Sequence, residues 1–382
     1  MGQFTVFGKK EDEKIREDLR TITDIIVRKT SPISIILFGG FGKGEGSIEI
    51  KNSKIKPIND YDLYIVGKRK VSEDELDSLR IECSRAIGRG GLDFVENPEA
   101  EYDKDKFFHA DIRFIHYDKL GRLPPMQRTF ELKYGSQVIY GENVLPKIND
   151  VKVPVSDAIR ILFNKMDHLL LSKFQKNKLI KTIYIYKAYC DLASALLIAE
   201  NDFRATYRQK AEAIQKHDFP SRLKKKILWA TELRMKPDPG KIKDINKEWE
   251  EAVYWVGYVF KFILKNSFRI KDDSWKGIAR FVYNKLPYLY FSPYLKSQIL
   301  FPLQYYLTLK YCLLCWKKGE IIIKPLFSWR DVGLKLAVPL FLYLYGEEKE
   351  AEKYLKKITS RTKPLKERIL YLYGLYYLQK IV

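Results

Sequence analysis

Residues 33–66 read ISIILFGGFGKGEGSIEIKNSKIKPINDYDLYIV, and their reading decides the fold. The run 33–38 is β-branched and aromatic and stops at Gly39-Gly40, which predicts a buried strand ending in a tight turn. Glycines at 39, 40, 42, 44 and 46 let the main chain approach a charged ligand closely, and Lys43 among them is a cation suited to a bound phosphate. A second strand follows at 60–66. Side chains alternate along a strand, so Asp60 and Asp62 project from one face, and Tyr61 and Leu63 from the other. Two carboxylates on one face repel each other, and a hard divalent cation with oxygen ligands relieves that repulsion.

A further strand at 109–115, His-Ala-Asp-Ile-Arg-Phe-Ile, places Asp111 on one face with His109 and Arg113. Asp93, in the strand-like run 92–96, is a rival for the third acid, but the run at 109–115 is longer and alternates more cleanly. An apolar residue, Gly-Gly, a spacer, Asp-apolar-Asp-apolar and a later strand-borne acid form a pattern. On Gly39, Gly40, Asp60, Asp62 and Asp111 the chain resembles the DNA polymerase β-type nucleotidyltransferase superfamily over about its first 150 residues. The spacer departs from that pattern: 19 residues separate Gly40 from Asp60, and the extra length reads as a surface hairpin through 48–58. Whether Glu45 or Ser47 also lines the site is left open.

The resemblance implies an α/β (α+β) nucleotidyltransferase domain with a short mixed sheet. It also implies two Mg2+ or Mn2+ ions on Asp60, Asp62 and Asp111, and a nucleoside triphosphate such as ATP cradled by Gly39, Gly40 and Lys43. Nucleotidyl transfer to an acceptor hydroxyl, with release of pyrophosphate, is the activity it implies.

At 382 residues the chain exceeds a usual single domain. Pro146 and Pro154 bracket a polar connection, which predicts a catalytic domain over 1–150 and a mostly α-helical domain over 151–382, with a further break at 236–240. Charge divides unevenly. Residues 1–150 hold 25 Lys and Arg against 26 Asp and Glu, so the net charge of +21 lies beyond them. A neutral catalytic part joined to a basic one suits a polyanionic acceptor such as RNA, although a Lys-rich, thermophile-like surface has the same composition. Nucleotidyl transfer to a small molecule, a protein or a second nucleotide is the alternative, as is a silent scaffold that binds nucleotide or RNA.

Helices are expected at 11–29, at 72–88 behind a capping box, and at 156–171, 179–200, 249–265 and 274–286. In the fourth of these, Leu179, Ile183, Tyr186, Cys190, Ala193 and Leu197 form an apolar seam. Lys181 and Lys187 lie off it, and the resemblance implies that such basic side chains of an appended helical domain grip the triphosphate. The apolar stretches 300–316 and 332–345 are interrupted by Lys310, Lys335 and Pro339 and read as buried helices, with no membrane partner expected. Four scattered cysteines and the lack of an apolar leader fit a cytoplasmic protein, and Cys312-Leu-Leu-Cys315 reads as helix core.

Overall fold

A computed structural model describes residues 2–51, 54–91, 109–174, 177–284, 286, 332–359 and 363–381. The expected strand at 92–96 with its Asp93, and the 312/315 cysteine pair, lie outside these residues. The chain forms two compact units: Met1–Lys152 with Arg204–His217 and Leu228–Asp238, and Val153–Phe203 with Asp218–Ile227 and Pro239–Val382. The first break falls two residues beyond the expected boundary. The first unit, however, also takes in two stretches that the sequence pattern assigns to the helical domain.

In the first unit, strands β1 (Ser34–Phe38), β4 (Tyr61–Gly67), β5 (Ala110–His116) and β6 (Gln137–Gly141) form a sheet in the order β5-β4-β1-β6. β1 runs antiparallel to both β4 and β6, and β4 runs parallel to β5, so the sheet is mixed. One face packs helices α1 (Lys9–Thr30) and α3 (Glu73–Ala86). Ile15, Leu19, Ile22 and Ile26 of α1 meet Ile35, Leu37, Tyr61, Leu63 and Ile65 there, all buried. The opposite face buries Ile36, Tyr64, Val66 and Ile115 against Leu132 and Val144. α3 opens on the expected capping box, in which Ser72 accepts from the Glu75 amide and the Glu75 carboxylate accepts from the Ser72 amide. The long spacer is a hairpin: β2 (Ile48–Lys51) pairs with β3 (Lys54–Pro57), closed at its base by the Ile58 amide donating to the Ser47 carbonyl.

The second unit is helical among the described residues. α5 (Val155–Phe174), α6 (Lys178–Ala199) and α9 (Ile245–Phe268) pack on one another, and the helix Val332–Leu344 packs on α5. Phe163, Phe260 and Phe341 meet at this junction, with ring centres 5.3–6.3 Å apart. The apolar face of α6 is wider than the expected seam. Leu179 and Ile183 are only partly buried, whereas Ile180, Thr182, Ile185, Ala188 and Tyr189 off the seam are buried, because neighbours cover the helix on several sides. By length and composition α6 is the one helix among the described residues apolar enough to cross a membrane, and 72 % of that apolar window is buried.

Candidate active site

The register of the two parallel strands determines what stands beside what. Asp62 of β4 lies opposite Asp111 of β5, and Tyr64 lies opposite Arg113. One step earlier, the His109 Nδ1 is 3.4 Å from the Asp60 Oδ1. Three cross-strand pairs therefore share one face: Asp60 with His109, Asp62 with Asp111, and Tyr64 with Arg113. Asp60 stands at the open end, with its side chain 56 % exposed, while Asp111 is more enclosed, at 24 %.

β1 delivers the glycine turn to this face. Phe38 pairs with Asp62, and the chain then enters the single helical turn α2 (Gly39–Gly42). Gly39 has φ +66°, and a Cβ there would run into the Asp62 carboxylate, so backbone conformation and space both require glycine. The turn and the acid are thus in contact, a relation that the 60–66 alternation alone does not contain.

Asp111 is held by Arg113, whose Nη2 donates to Oδ2 at 2.6 Å. Burial alone would lower the Arg113 guanidinium; Asp111, Tyr64 and Asp62 outweigh it and raise it above its usual value. The start of β5 is pinned by Ser84 of α3, whose hydroxyl accepts from the amides of His109 (2.9 Å) and Ala110 (3.2 Å). Arg80 clamps the same strand by donating to the Ile112 carbonyl.

Lys43 requires a correction. It is not an open cation in the glycine turn. Its side chain is 1 % exposed and its ammonium is bonded to Glu131 of α4 (Gln127–Tyr134) at 2.9 Å. Glu131 also accepts from Lys210 of α7 (Tyr207–Lys216), another side chain 1 % exposed. Burial alone would raise the Glu131 carboxyl, but Lys210 and Lys43 prevail and hold it at about 2. A buried ammonium sharing a carboxylate in this way is committed to structure.

Glu45 and Ser47 are likewise structural. The Glu45 carboxylate accepts from the amides of Tyr207 (2.8 Å) and Arg208 (2.9 Å), capping the N-terminus of α7. The Ser47 hydroxyl donates to the carbonyl of Arg234, near the end of α8 (Ser221–Met235). These contacts bring residues 204–217 and 228–238 into the first unit, and they bring a cation to the turn. Arg234 lies over the Tyr207 ring, 4.1 Å from its centre, with Nη2 3.4 Å from where a Cβ on Gly40 would stand. Sequence reasoning misses Arg234, since nothing local marks it; its approach to Gly40 spans nearly 200 residues.

Lys181 and Lys187 belong to α6 in the second unit, where the Lys181 ammonium donates to Asn246 at 2.8 Å. Among the described residues no three His, Cys, Asp or Glu side chains come close enough together to hold a metal ion. The paired carboxylates of Asp62 and Asp111 do offer hard oxygen donors of the kind that divalent magnesium takes. The first unit is thus an α+β body whose small mixed sheet carries adjacent carboxylates beneath a glycine turn. No protein-family model matches the chain, and no curated protein sequence matches it.

Proposed function

We propose that the first unit transfers a nucleoside monophosphate from a nucleoside triphosphate to an acceptor hydroxyl. The observation that carries this reading is the stacking of Gly39 on Asp62, with Asp111 directly across the parallel pair. Bare backbone at the turn admits a triphosphate, and two carboxylates beside it provide anionic ligands for a divalent cation. Asp62 and Asp111 would hold magnesium or manganese, with the Asp60 carboxylate adding negative charge at the exposed end. Such an ion, when bound, neutralises triphosphate charge and acidifies the acceptor hydroxyl.

The chain's own residues divide the remaining work. Arg113 fixes the Asp111 carboxylate in one orientation. Arg234, 5 % exposed beneath the turn and over the Tyr207 ring, would add positive charge beside a bound triphosphate without being an open ligand to it. In the transfer, the acceptor oxygen forms a bond to the α-phosphorus, the bridge to the β-phosphate breaks, and pyrophosphate and a proton leave. An RNA acceptor is favoured by charge: the first unit holds 32 Lys and Arg against 29 Asp and Glu, the second 37 against 19, so the excess of positive charge is concentrated in the second.

The test is transfer of label from each α-labelled ribonucleoside triphosphate, with magnesium or manganese, to RNA, to protein and to free nucleotide. Wild type is expected to label RNA and Asp62→Asn to label nothing. Label only in protein or in a small molecule would replace the acceptor. A wild type that labels nothing, or an Asp62→Asn variant with wild-type turnover, would overturn the reading.

A further inference from the structure

Among the described residues, one face of α9 in the second unit is exposed or half-buried. On α9 the residues 247, 254, 258, 261 and 265 fall at intervals of three, four and seven, so they lie along one stripe of the helix. They are Lys247, Tyr254, Tyr258, Lys261 and Lys265, and the opposite side of α9 buries Val256, Val259, Phe260 and Ile263 in the core. Tyr254 is 61 % exposed, the most open of the large exposed side chains among the described residues.

A single exposed tyrosine is ordinary, but this one is held in place. Its ring meets the buried Trp255 edge-on, with centres 5.0 Å apart at 74°, and Tyr258 meets the same indole edge-on at 5.4 Å and 82°. Trp255 is fixed in turn, since its indole N–H donates to Glu251, itself bonded to Arg222 and paired with Lys226. Two tyrosines therefore pack edge-on against one anchored indole. Further along the stripe the Lys261 ammonium sits 4.6 Å above the ring of Trp275, which is stacked at 3.8 Å and 13° on Tyr345. Glu250 and Glu251 are the acids along the stripe, and Glu251 is paired with Arg222 and Lys226, against three lysines on it.

Rigid aromatic rings interleaved with lysines, on a unit whose sequence carries an excess of 18 positive charges, are complementary to a polyanion with exposed bases. Duplexes hide their base faces; single strands present them. We infer that the Tyr254–Lys265 face of α9 binds single-stranded nucleic acid, with bases on Tyr254 and Tyr258 and phosphates on Lys261 and Lys265. The inference deepens the RNA part of the proposed function and is independent of the transfer chemistry.

The experiment is fluorescence anisotropy of a labelled 12-nucleotide single-stranded RNA with the full chain, across a salt series, without nucleotide or divalent cation. Tyr254→Ala is expected to weaken binding about 10-fold, and Tyr254→Phe, which keeps the ring, to bind like wild type. Lys261→Gln/Lys265→Gln should reduce the slope of log affinity against log salt by about 1.4, at roughly 0.7 per phosphate contact on a single strand. A duplex of the same length should bind more weakly than the single strand. The inference is overturned if Tyr254→Ala binds like wild type, if the double-lysine variant keeps the wild-type slope, or if duplex and single strand bind alike. It is also overturned if the face takes anionic lipid vesicles while its variants leave RNA binding unchanged. Binding is read without nucleotide or divalent cation and transfer with both, so a protein that binds RNA on this face but transfers no label keeps this inference and loses the proposed function.

Discussion

Glu131→Gln would leave the ammonium groups of Lys43 and Lys210 buried together without the carboxylate they share. The cost follows from the site. The two lysines hold the Glu131 carboxyl at about 2 against an ordinary 4.5, despite a burial effect in the other direction. Each tenfold change in proton affinity is worth about 1.4 kcal/mol, so that difference comes to about 3 kcal/mol. Removing one partner of a buried ion pair costs on the order of 3–5 kcal/mol, the same range reached from a different direction. For a unit of this size the melting temperature should fall by roughly 10 °C. Because the folded value is lowered, the stabilisation is complete above the ordinary carboxyl range and fades as pH falls from about 4.5 toward 2. Wild type and variant should therefore differ most at neutral pH and converge on acidification. Thermal melts followed by circular dichroism at pH 7, and in steps down to pH 3, check both statements. Glu131→Gln/Lys210→Met, which removes one of the two stranded charges, should recover part of the loss. A Glu131→Gln protein melting within about 2 °C of wild type at pH 7 would refute the reasoning.

Two more perturbations probe how the site is built. Gly39→Ala forces a side chain into a left-handed conformation at φ +66° and against the Asp62 carboxylate, so transfer should drop by more than about 10-fold while the backbone strain costs only about 1–2 kcal/mol; label transfer and a thermal melt, run together, separate the two effects. Ser84→Ala removes the acceptor for two buried amides at the start of β5 and should cost about 2 kcal/mol, read as a lower denaturant midpoint with faster amide exchange at Ala110.

Much of the first unit is legible because its signals are local. Alternation places Tyr61 and Leu63 in one core and Asp62 on the other face, and the structure follows it residue by residue. The surplus spacer length reads as a hairpin, and a hairpin forms, because Ile48–Lys51 and Lys54–Pro57 can pair without help from distant residues. Capping boxes are local too, and Ser72 with Glu75 behaves as its spacing requires. Lys43 misleads for the complementary reason. In sequence it stands among glycines as a lone cation, but its fate depends on Glu131, 88 residues away, and on Lys210, 79 residues beyond that.

Long-range pairing also explains why residues 204–217 and 228–238 join the first unit when composition assigns them to a basic helical half. A helix N-terminus has unsatisfied amides, and the carboxylate that caps α7 comes from Glu45, 162 residues earlier. A buried carboxylate needs cations, and Glu131 takes one from α7 and one from the glycine turn. These two acids tie α7 to the first unit. Tyr207 at its first turn then provides the ring over which Arg234 lies, with Nη2 close to Gly40. Distant residues thus bring a second buried cation beside the turn that already holds Lys43. That arrangement places Arg234, which reaches the site over a ring of α7, beside the glycine turn whose Gly39 meets the Asp62 carboxylate.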